Sequence, residues 1–308
     1  MNILITGGAG YIGTSLIPLL LKRGYKVTVV DNLLFGGDPI IPFFRIPNFT
    51  FIKGDIRDKA LMKKSVRNMD IIIHLAAIVG YPACQKEPDL AESINIHATK
   101  LLSSLVSKDQ LILYGSTGSN YGSVNEICTE KTRLNPLSHY GKTKTFAEKY
   151  LINNNSTIAY RFATAFGISP RLRLDLLIND FTFKAISQGY IVVYESHFMR
   201  TFIHVYDIGL AWLFAIDNAE KMKNEIYNVG SDKMNYTKKD ICEMIKEKTQ
   251  AQFYYAEIGE DEDKRNYLVS YDKIKKLGFE TTITVEKGIE ELIKGVAAVT
   301  INSPYTNI

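Results

Sequence analysis

Short apolar segments that alternate with helical patterns constrain the fold of this chain more than any other feature. Six of them lie in the first 160 residues, and they are rich in Ile, Val and Leu with little apolar/polar alternation. Parallel strands buried on both faces have this composition. Such strands, separated by helices, predict an α/β fold with a doubly wound parallel sheet. The predicted strands are Asn2 to Thr6, Lys26 to Val30, Phe49 to Ile52, Ile71 to His74, Gln110 to Tyr114 and Thr157 to Tyr160.

The second half of the chain has a different pattern, which predicts a smaller α/β lobe. We predict a first lobe of residues 1–165, to which residues 201–229 return, and a second lobe of residues 166–200 and 230–308. A cleft between two such lobes is the default place for a ligand. The predicted helices are Tyr11 to Arg23, Lys59 to Arg67, Asp89 to Val106, Ser138 to Ile152, Asp175 to Ser187, Lys238 to Lys246 and Val285 to Lys294.

The composition is that of an ordinary globular protein and excludes several classes. With 46% hydrophobic residues in a chain of 308, disorder is not expected. A net charge of +4 with scattered basic residues does not favour nucleic-acid binding. No apolar run reaches the roughly 20 residues of a membrane span. Three distant cysteines suit neither a disulfide framework nor a metal site, and with no signal-peptide pattern they predict a cytoplasmic protein.

The first strand runs into a glycine turn that is typical of dinucleotide binding. Gly7, Gly10 and Gly13 follow a G-x-x-G-x-x-G spacing between the strand and a helix. Glycine allows positive φ and close approach of the backbone, so the N–H groups and dipole of the helix start can meet a pyrophosphate. A plain tight turn is the alternative. The predicted cofactor contacts at this turn are Gly7, Gly10, Tyr11, Ile12 and Gly13.

The residue at the end of the second strand indicates whether NAD or NADP is bound. Asp31 lies 18 residues after Gly13, where a carboxylate can accept hydrogen bonds from an adenosine ribose and repel a 2′-phosphate. The sequence therefore predicts NAD in preference to NADP. The alternative is a structural aspartate that caps the turn.

Two further strand ends add candidate cofactor contacts. Asp55 closes the third strand, where it could accept a hydrogen bond from the adenine amino group or, alternatively, cap the helix that starts near Asp58. Small side chains after the fourth strand would let a cofactor lie on the backbone. The predicted contacts are Asp55, Ile56, Leu75, Ala76 and Ala77.

A tyrosine and a lysine at helical spacing are the candidate catalytic groups. Tyr140 and Lys144 lie one turn apart on one helix face, where an ammonium favours ionisation of a phenol with an ordinary pKa of about 10. The spacing is not specific, because Tyr271 and Lys275 repeat it. The position in the chain distinguishes the two pairs. Tyr140 lies at the start of the helix that follows the fifth strand, on the half of the sheet that faces the cofactor. At the end of that strand, Ser116 and Thr117 offer hydroxyls that can share a proton with Tyr140, with ordinary loop hydroxyls as the alternative.

These motifs together resemble the extended short-chain dehydrogenase/reductase family, the NAD-dependent nucleotide-sugar epimerases and dehydratases, over nearly the whole chain. The resemblance implies a Rossmann-type NAD-binding lobe, a second lobe for a nucleotide sugar, and a triad of Thr117, Tyr140 and Lys144. It adds Asn32 and Asn95 to the cofactor contacts. The motifs that carry it are Thr6 to Gly13, Asp31-Asn32, Gly54-Asp55, Leu75 to Ala77, Asn95, Tyr114 to Gly122, Tyr140 to Lys144, Arg161 to Gly167 and Arg200 to Asp207.

The resemblance also implies substrate contacts beyond Thr117. Arg200 and Arg265 are the candidates for the substrate diphosphate, because guanidinium groups pair well with phosphate. Asn179 resembles the nucleotide or sugar contact of the family. Arg171 and Arg173 are further candidates, but they are interpreted more readily as surface or inter-lobe pairs.

Two features refine the expected reaction. Family members that remove water carry Asp-Glu directly after the triad hydroxyl, whereas this chain has Gly118-Ser119, so 4,6-dehydration is disfavoured. The segments Ala76 to Gly80, Gly167 to Asp180 and Asp263 to Ser270 resemble the GDP-heptose 4-dehydrogenases of bacterial capsule synthesis. The main expectation is therefore hydride transfer from sugar C4 to NAD, which gives a 4-keto sugar.

Two other functions and the oligomeric state stay open at this point. A 4-epimerase would return the hydride to the opposite face of the sugar, and a non-catalytic dinucleotide-sensing protein is a remote alternative. The family commonly pairs two subunits through the helices near Asp89 to Val106 and Ser138 to Ile152, so a homodimer is expected.

Overall fold

A computed structural model describes residues 1–256 and 266–298, in which strands and helices alternate. The strands in chain order are β1 (Asn2–Thr6), β2 (Lys26–Asp31), β3 (Phe49–Lys53), β4 (Ile71–His74), β5 (Leu111–Thr117), β6 (Ser123–Cys128), β7 (Thr157–Phe162), β8 (Thr164–Phe166), β9 (Tyr190–Tyr194), β10 (Met199–His204), β11 (Glu225–Val229), β12 (Asn235–Thr237), β13 (Gln252–Ala256) and β14 (Asn266–Val269).

The helices lie mainly between these strands. In chain order they are α1 (Tyr11–Lys22), α2 (Lys59–Ser65), α3 (Tyr81–Lys86), α4 (Pro88–Glu92), α5 (Thr99–Leu105), α6 (His139–Asn154), α7 (Leu177–Ser187), α8 (Val205–Asp217), α9 (Ala219–Met222), α10 (Lys238–Lys246), α11 (Asp272–Lys275) and α12 (Val285–Val296). Among the described residues, no helix combines the length and apolar character that crossing a bilayer requires.

Seven parallel strands form the central sheet, in the order β11-β7-β5-β4-β1-β2-β3. The predicted α/β fold with a doubly wound, Rossmann-type parallel sheet is confirmed. From β1 the chain adds β2 and β3 on one side and then β4 and β5 on the other, so the order reverses between β1 and β4. Ligands of such sheets bind beyond the carboxyl ends of the strands at this switch point.

Helices cover both faces of the sheet, which explains why its strands are apolar throughout. Ile3 and Ile5 of β1 pack with Leu16 of α1 and Trp212 of α8. Leu4, between them, packs on the other face against α2, α4 and α5. Because successive side chains of a strand point to opposite faces, the three central positions of β1 are all apolar.

Residues 201–229 contribute strands to two different sheets. We expected residues 201–229 to rejoin the first lobe, and within that range β11 pairs with β7 of the central sheet. The strand that ends at His204, however, is β10, which pairs with β8 and β12 in a separate three-stranded sheet. The reason is local: the chain leaves the central sheet at Ala163, and β8 begins one residue later.

A long helical run was predicted over Asp89 to Val106 and is present, but it is not uniform. It consists of α4, a π-helical turn at Ser93–Ala98 and α5. π-helical turns within α-helices are often found near functional sites. Here the turn contains Asn95, so it alters the direction of one predicted site residue.

Candidate active site

One cavity of about 280 Å³ lies at the carboxyl ends of the central strands. It brings together the ends of β1, β2, β4 and β5, the start of α6, and a segment that follows β8. Most of the residues predicted for cofactor and catalysis line it: Gly7, Gly10, Tyr11, Ile12, Gly13, Asp31, Asn32, Asp55, Ile56, Leu75, Ala76, Ala77, Thr117, Tyr140 and Lys144.

The glycine turn fits closely against the neighbouring strand end. Gly7 has φ of +73°, and a Cβ there would lie 2.6 Å from the Ala76 backbone nitrogen. A Cβ at Gly13 would lie 2.4 Å from the Gly8 carbonyl oxygen. Any side chain at these positions would force the turn away from β4 and α1. The turn thus keeps its backbone N–H groups at the cavity wall, where an anion can approach them.

His74, at the end of β4, fixes the strand ends behind this turn. Its Nδ1 is 2.7 Å from the Thr6 hydroxyl and its Nε2 is 3.0 Å from the Thr99 hydroxyl. Burial lowers the pKa of His74 to about 3, so the ring is neutral at physiological pH.

The Asp31 carboxylate is oriented by the backbone. It accepts hydrogen bonds from the Ala9 N–H at 3.0 Å and the Leu33 N–H at 2.8 Å. Burial raises the pKa of Asp31, and these two bonds and the Arg171 guanidinium oppose that shift. Each carboxylate oxygen can accept a second hydrogen bond. The ribose hydroxyls of an adenosine can therefore be bound at this position.

Asp55 lines the cavity, but its own neighbour holds it. Arg57 donates to both carboxylate oxygens, with Nε at 2.9 Å and Nη2 at 2.6 Å, and so lowers the pKa of Asp55. The alternative role as a helix cap belongs to Asp58, which accepts from the N–H groups of Ala60 and Leu61. Asp55 therefore presents a fixed, ionised carboxylate rather than a capping group.

Tyr140 and Lys144 enter the cavity from the first turns of α6. The helix is capped by Ser138, whose hydroxyl accepts from the Gly141 N–H at 3.0 Å. The Lys144 ammonium is buried and lies 4.2 Å from the centre of the Tyr114 ring. Burial lowers the pKa of Lys144 to about 7, although the neighbouring Cys84 and Glu148 act in the opposite direction.

Thr117 lies at the end of β5, where the strand runs into a short turn. Its hydroxyl accepts from the Ser119 N–H and lies 3.1 Å from the Ser119 hydroxyl, to which it donates. Thr117, Tyr140 and Lys144 line the same cavity as the glycine turn and Asp31.

Two predicted contacts lie behind the cavity wall. The Asn95 amide bonds to the backbone N–H and carbonyl of Ile78 and to the Thr143 hydroxyl. Asn179 is buried and bonds to the backbone of Gly167 and Arg173. Both amides thereby shape the wall instead of lining it.

Neither of the two preferred diphosphate contacts is described as a residue of the cavity wall. Arg200 is buried, donates to the carbonyl of Met199 and is not a lining residue. Arg265 lies outside the described residues. Arg171 and Arg173, which we expected at the surface or between the lobes, are buried or nearly so and line the cavity.

Sequence reasoning missed several groups at this site. Arg173 is held by Asp175 at 2.5 Å, and the Arg171 guanidinium lies 4.7 Å from the centre of the Phe35 ring. The i,i+2 spacing of Arg173 and Asp175 was the available signal for the first. For Phe35 no local pattern distinguishes a cavity residue from an exposed loop residue.

The donor set fits NAD. The glycine turn offers backbone donors to a pyrophosphate, and Asp31 offers acceptors to a ribose. A family comparison gives the same result independently: residues 3–230 match the NAD dependent epimerase/dehydratase family. The chain belongs to this family. It is accordingly an enzyme of the NAD-dependent nucleotide-sugar epimerase/dehydratase type, and NAD is its cofactor.

Individual relatives cover most of the chain. A protein of Methanocaldococcus jannaschii, whose name assigns it provisionally as a UDP-glucose 4-epimerase, is 29% identical over 94% of this chain and 97% of its own. The low-salt glycan biosynthesis protein Agl12 of Haloferax volcanii is 28% identical over 95% and 97%. A UDP-glucose 4-epimerase structure from Thermotoga maritima, with UDP-glucose, is 26% identical over 97% and 99%, with a TM-score of 0.84.

The Asp31 carboxylate generates a prediction about cofactor choice. We expect Asp31→Ala to weaken NAD binding by at least about tenfold, because hydrogen bonds to charged groups contribute about 1.5–3 kcal/mol, and to narrow the preference for NAD over NADP. Calorimetric titration with both dinucleotides measures this. Asp38→Ala, which removes an exposed carboxylate from the same loop, is the matched control. Unchanged NAD affinity in Asp31→Ala would contradict the assignment.

Proposed function

We propose that this enzyme is a nucleotide-sugar 4-epimerase, which oxidises the sugar at C4 to a 4-keto intermediate and reduces it from the opposite face. The observation that carries the proposal is that Thr117, Tyr140 and Lys144 line the same cavity as the glycine turn and Asp31. When bound, NAD supplies the group that accepts a hydride from C4 of the sugar and can return it. Sugars linked to UDP are the first candidates, because UDP-glucose 4-epimerases are among the relatives.

Each residue of the triad has a distinct role in the proposed reaction. Tyr140, as a phenolate, takes the proton of the sugar 4-hydroxyl, directly or through Thr117. The Lys144 ammonium stabilises that phenolate and can donate to the nicotinamide ribose hydroxyls. Arg200 and Arg265 stay predictions for the substrate diphosphate, and Arg171 and Arg173 are further candidates because they line the cavity.

The position after Thr117 argues against a dehydratase. Gly118 stands where dehydratases are expected to carry an acid. A Cβ at Gly118 would lie 3.0 Å from the Tyr267 hydroxyl, so the phenol of Tyr267 fills the place of a longer side chain. Tyr267 also lines the cavity.

A net 4-dehydrogenase of the GDP-heptose type is the second candidate. It is supported by the resemblance of Ala76 to Gly80 and Gly167 to Asp180 to enzymes of capsule synthesis. The epimerase is preferred because named UDP-glucose 4-epimerases match most of the chain. A role in capsule or other glycan synthesis and a cytoplasmic location stay predictions.

Product analysis distinguishes the two candidates. We expect incubation with catalytic NAD and UDP-glucose or UDP-galactose to give the C4 epimer, identified by NMR, without accumulation of NADH. Conversion of one NAD per sugar into NADH, with a 4-keto product, would favour the dehydrogenase and contradict the epimerase.

The phenol of Tyr140 has a matched control in the same chain. We expect Tyr140→Phe to lower kcat by at least about a hundredfold, the scale of general-base catalysis, while the melting temperature stays near that of the wild type. Tyr271→Phe removes the phenol of the other Tyr-x-x-x-Lys pair and should keep kcat within about twofold. Full activity of Tyr140→Phe would exclude the proposed mechanism.

We further propose a homodimer formed by α5 and α6. The outer face of these helices carries Phe146, which is 39% exposed and stacks on Tyr150, with the Lys100 ammonium 4.7 Å from the Phe146 ring centre. We expect light scattering to give a dimeric mass for the wild type and a monomeric mass for Phe146→Glu, because a buried charge opposes association. Ile186→Glu, at an equally exposed apolar residue of α7, should leave the dimer intact. A monomeric wild type would overturn this proposal.

A further inference from the structure

Glu148 is a buried carboxylate that the proposed reaction does not use. It lies on α6, four residues after Lys144 and eight after Tyr140, so all three side chains share one helix face. Its side chain is fully buried and pairs with Arg161 of β7, whose Nη2 lies 2.6 Å from Oε1 and whose Nε lies 3.0 Å from Oε2. A buried ion pair rarely adds net stability, so its presence calls for another explanation.

The second oxygen of this carboxylate binds the strand end that carries Thr117. Ser116, the residue before Thr117, donates from its hydroxyl to Oε2 at 2.6 Å, and Asn120 donates from its amide at 3.1 Å. The Asn120 amide also donates to the Ser116 hydroxyl at 3.1 Å. The turn from residue 116 to residue 120 is thus tied to α6 at both ends. This fixes Thr117 relative to the helix that bears Tyr140.

The same carboxylate acts on Lys144 through its charge. Burial removes the ammonium from water, which favours its neutral form, and Glu148 is a carboxylate that opposes this effect. Arg161 lies beyond Glu148, on β7, and also donates to the Tyr121 hydroxyl and the Glu130 carbonyl. The titratable groups around Lys144 among the described residues are Tyr140 and Glu148 on α6, Tyr114 on β5, Cys84 on α3 and His74 on β4.

We propose that Glu148 is a positioning residue that keeps the Lys144 ammonium charged and holds the Thr117 hydroxyl against α6. The inference rests on the function proposed for Lys144 and Thr117 and extends it to a residue outside the cavity wall. The Glu148–Arg161 pair then serves to hold a negative charge close to Lys144. Arg161 orients the carboxylate and balances its charge where no water can do so.

The charge on Lys144 is tested by NAD binding, which needs no sugar. If the ammonium donates to the nicotinamide ribose, NAD affinity is high below the pKa of Lys144 and falls as the pH rises through it. We expect Glu148→Gln, which removes the carboxylate charge and leaves Arg161 in place, to shift the midpoint of this fall to lower pH by about one unit. Calorimetric titration of NAD from about pH 5 to about pH 9 measures the midpoint.

Glu130→Gln is the matched control, because it removes a half-buried carboxylate on the far side of Arg161 and should leave the midpoint unchanged. A wild-type midpoint in folded Glu148→Gln, or wild-type NAD affinity independent of pH, would overturn the role of Glu148 toward Lys144. Neither result depends on whether a sugar is epimerised, so failure of this inference and failure of the proposed function are distinguishable.

The strand-end contact is tested by a smaller change that keeps both charges. Ser116→Ala deletes the 2.6 Å hydrogen bond to Glu148. We expect kcat for the epimerised sugar to fall about tenfold with KM within about twofold, because a bond to a charged group is lost behind the reacting hydroxyl. Wild-type kcat in Ser116→Ala would contradict the positioning of Thr117 by Glu148.

Discussion

A buried ammonium beside the dinucleotide cavity is the constraint on which this structure depends. Transfer of a charge from water into a protein is costly unless polar partners replace the water. Lys144 meets that requirement with the face of Tyr114 and the charge of Glu148. Because burial already lowers the pKa of Lys144 to about 7, small changes around it decide whether it is charged at neutral pH.

The parallel sheet explains how distant segments reach this ammonium. The carboxyl ends of parallel strands lie at one edge, so the glycine turn after β1, Asp31 at the end of β2 and Thr117 at the end of β5 surround one cavity. His74 links the ends of β1 and β4 to α5 and keeps that edge in register. The same topology would serve many reactions, and the side chains at the edge select one.

Local sequence patterns predicted the parts of the site that depend on short-range geometry. The glycine turn, Asp31 and the pair on α6 each occupy a strand or helix end that hydrophobic patterning identifies, and all line the cavity. Side-chain direction was less predictable. The Asn95 side chain bonds to the backbone of Ile78. Asn95 lies in a π-helical turn, which no pattern in the sequence predicted.

Tertiary contacts account for the remaining differences. Arg173 was interpreted mainly as a surface or inter-lobe pair, whereas it lines the cavity and pairs with Asp175. The strand end at Ile203 was expected to return to the central sheet. It pairs with β8 instead, and short strands of three residues such as β8 are too brief for a periodic pattern to identify.

The most direct test of the central claim is a crystal structure of the protein with NAD and a UDP-sugar. The account predicts that the sugar C4 lies between the Tyr140 hydroxyl and the reactive carbon of the nicotinamide, with the 4-hydroxyl about 3 Å from that phenol. A bound sugar whose C4 lies remote from Tyr140, or a nicotinamide ring on the far side of the glycine turn, would contradict it.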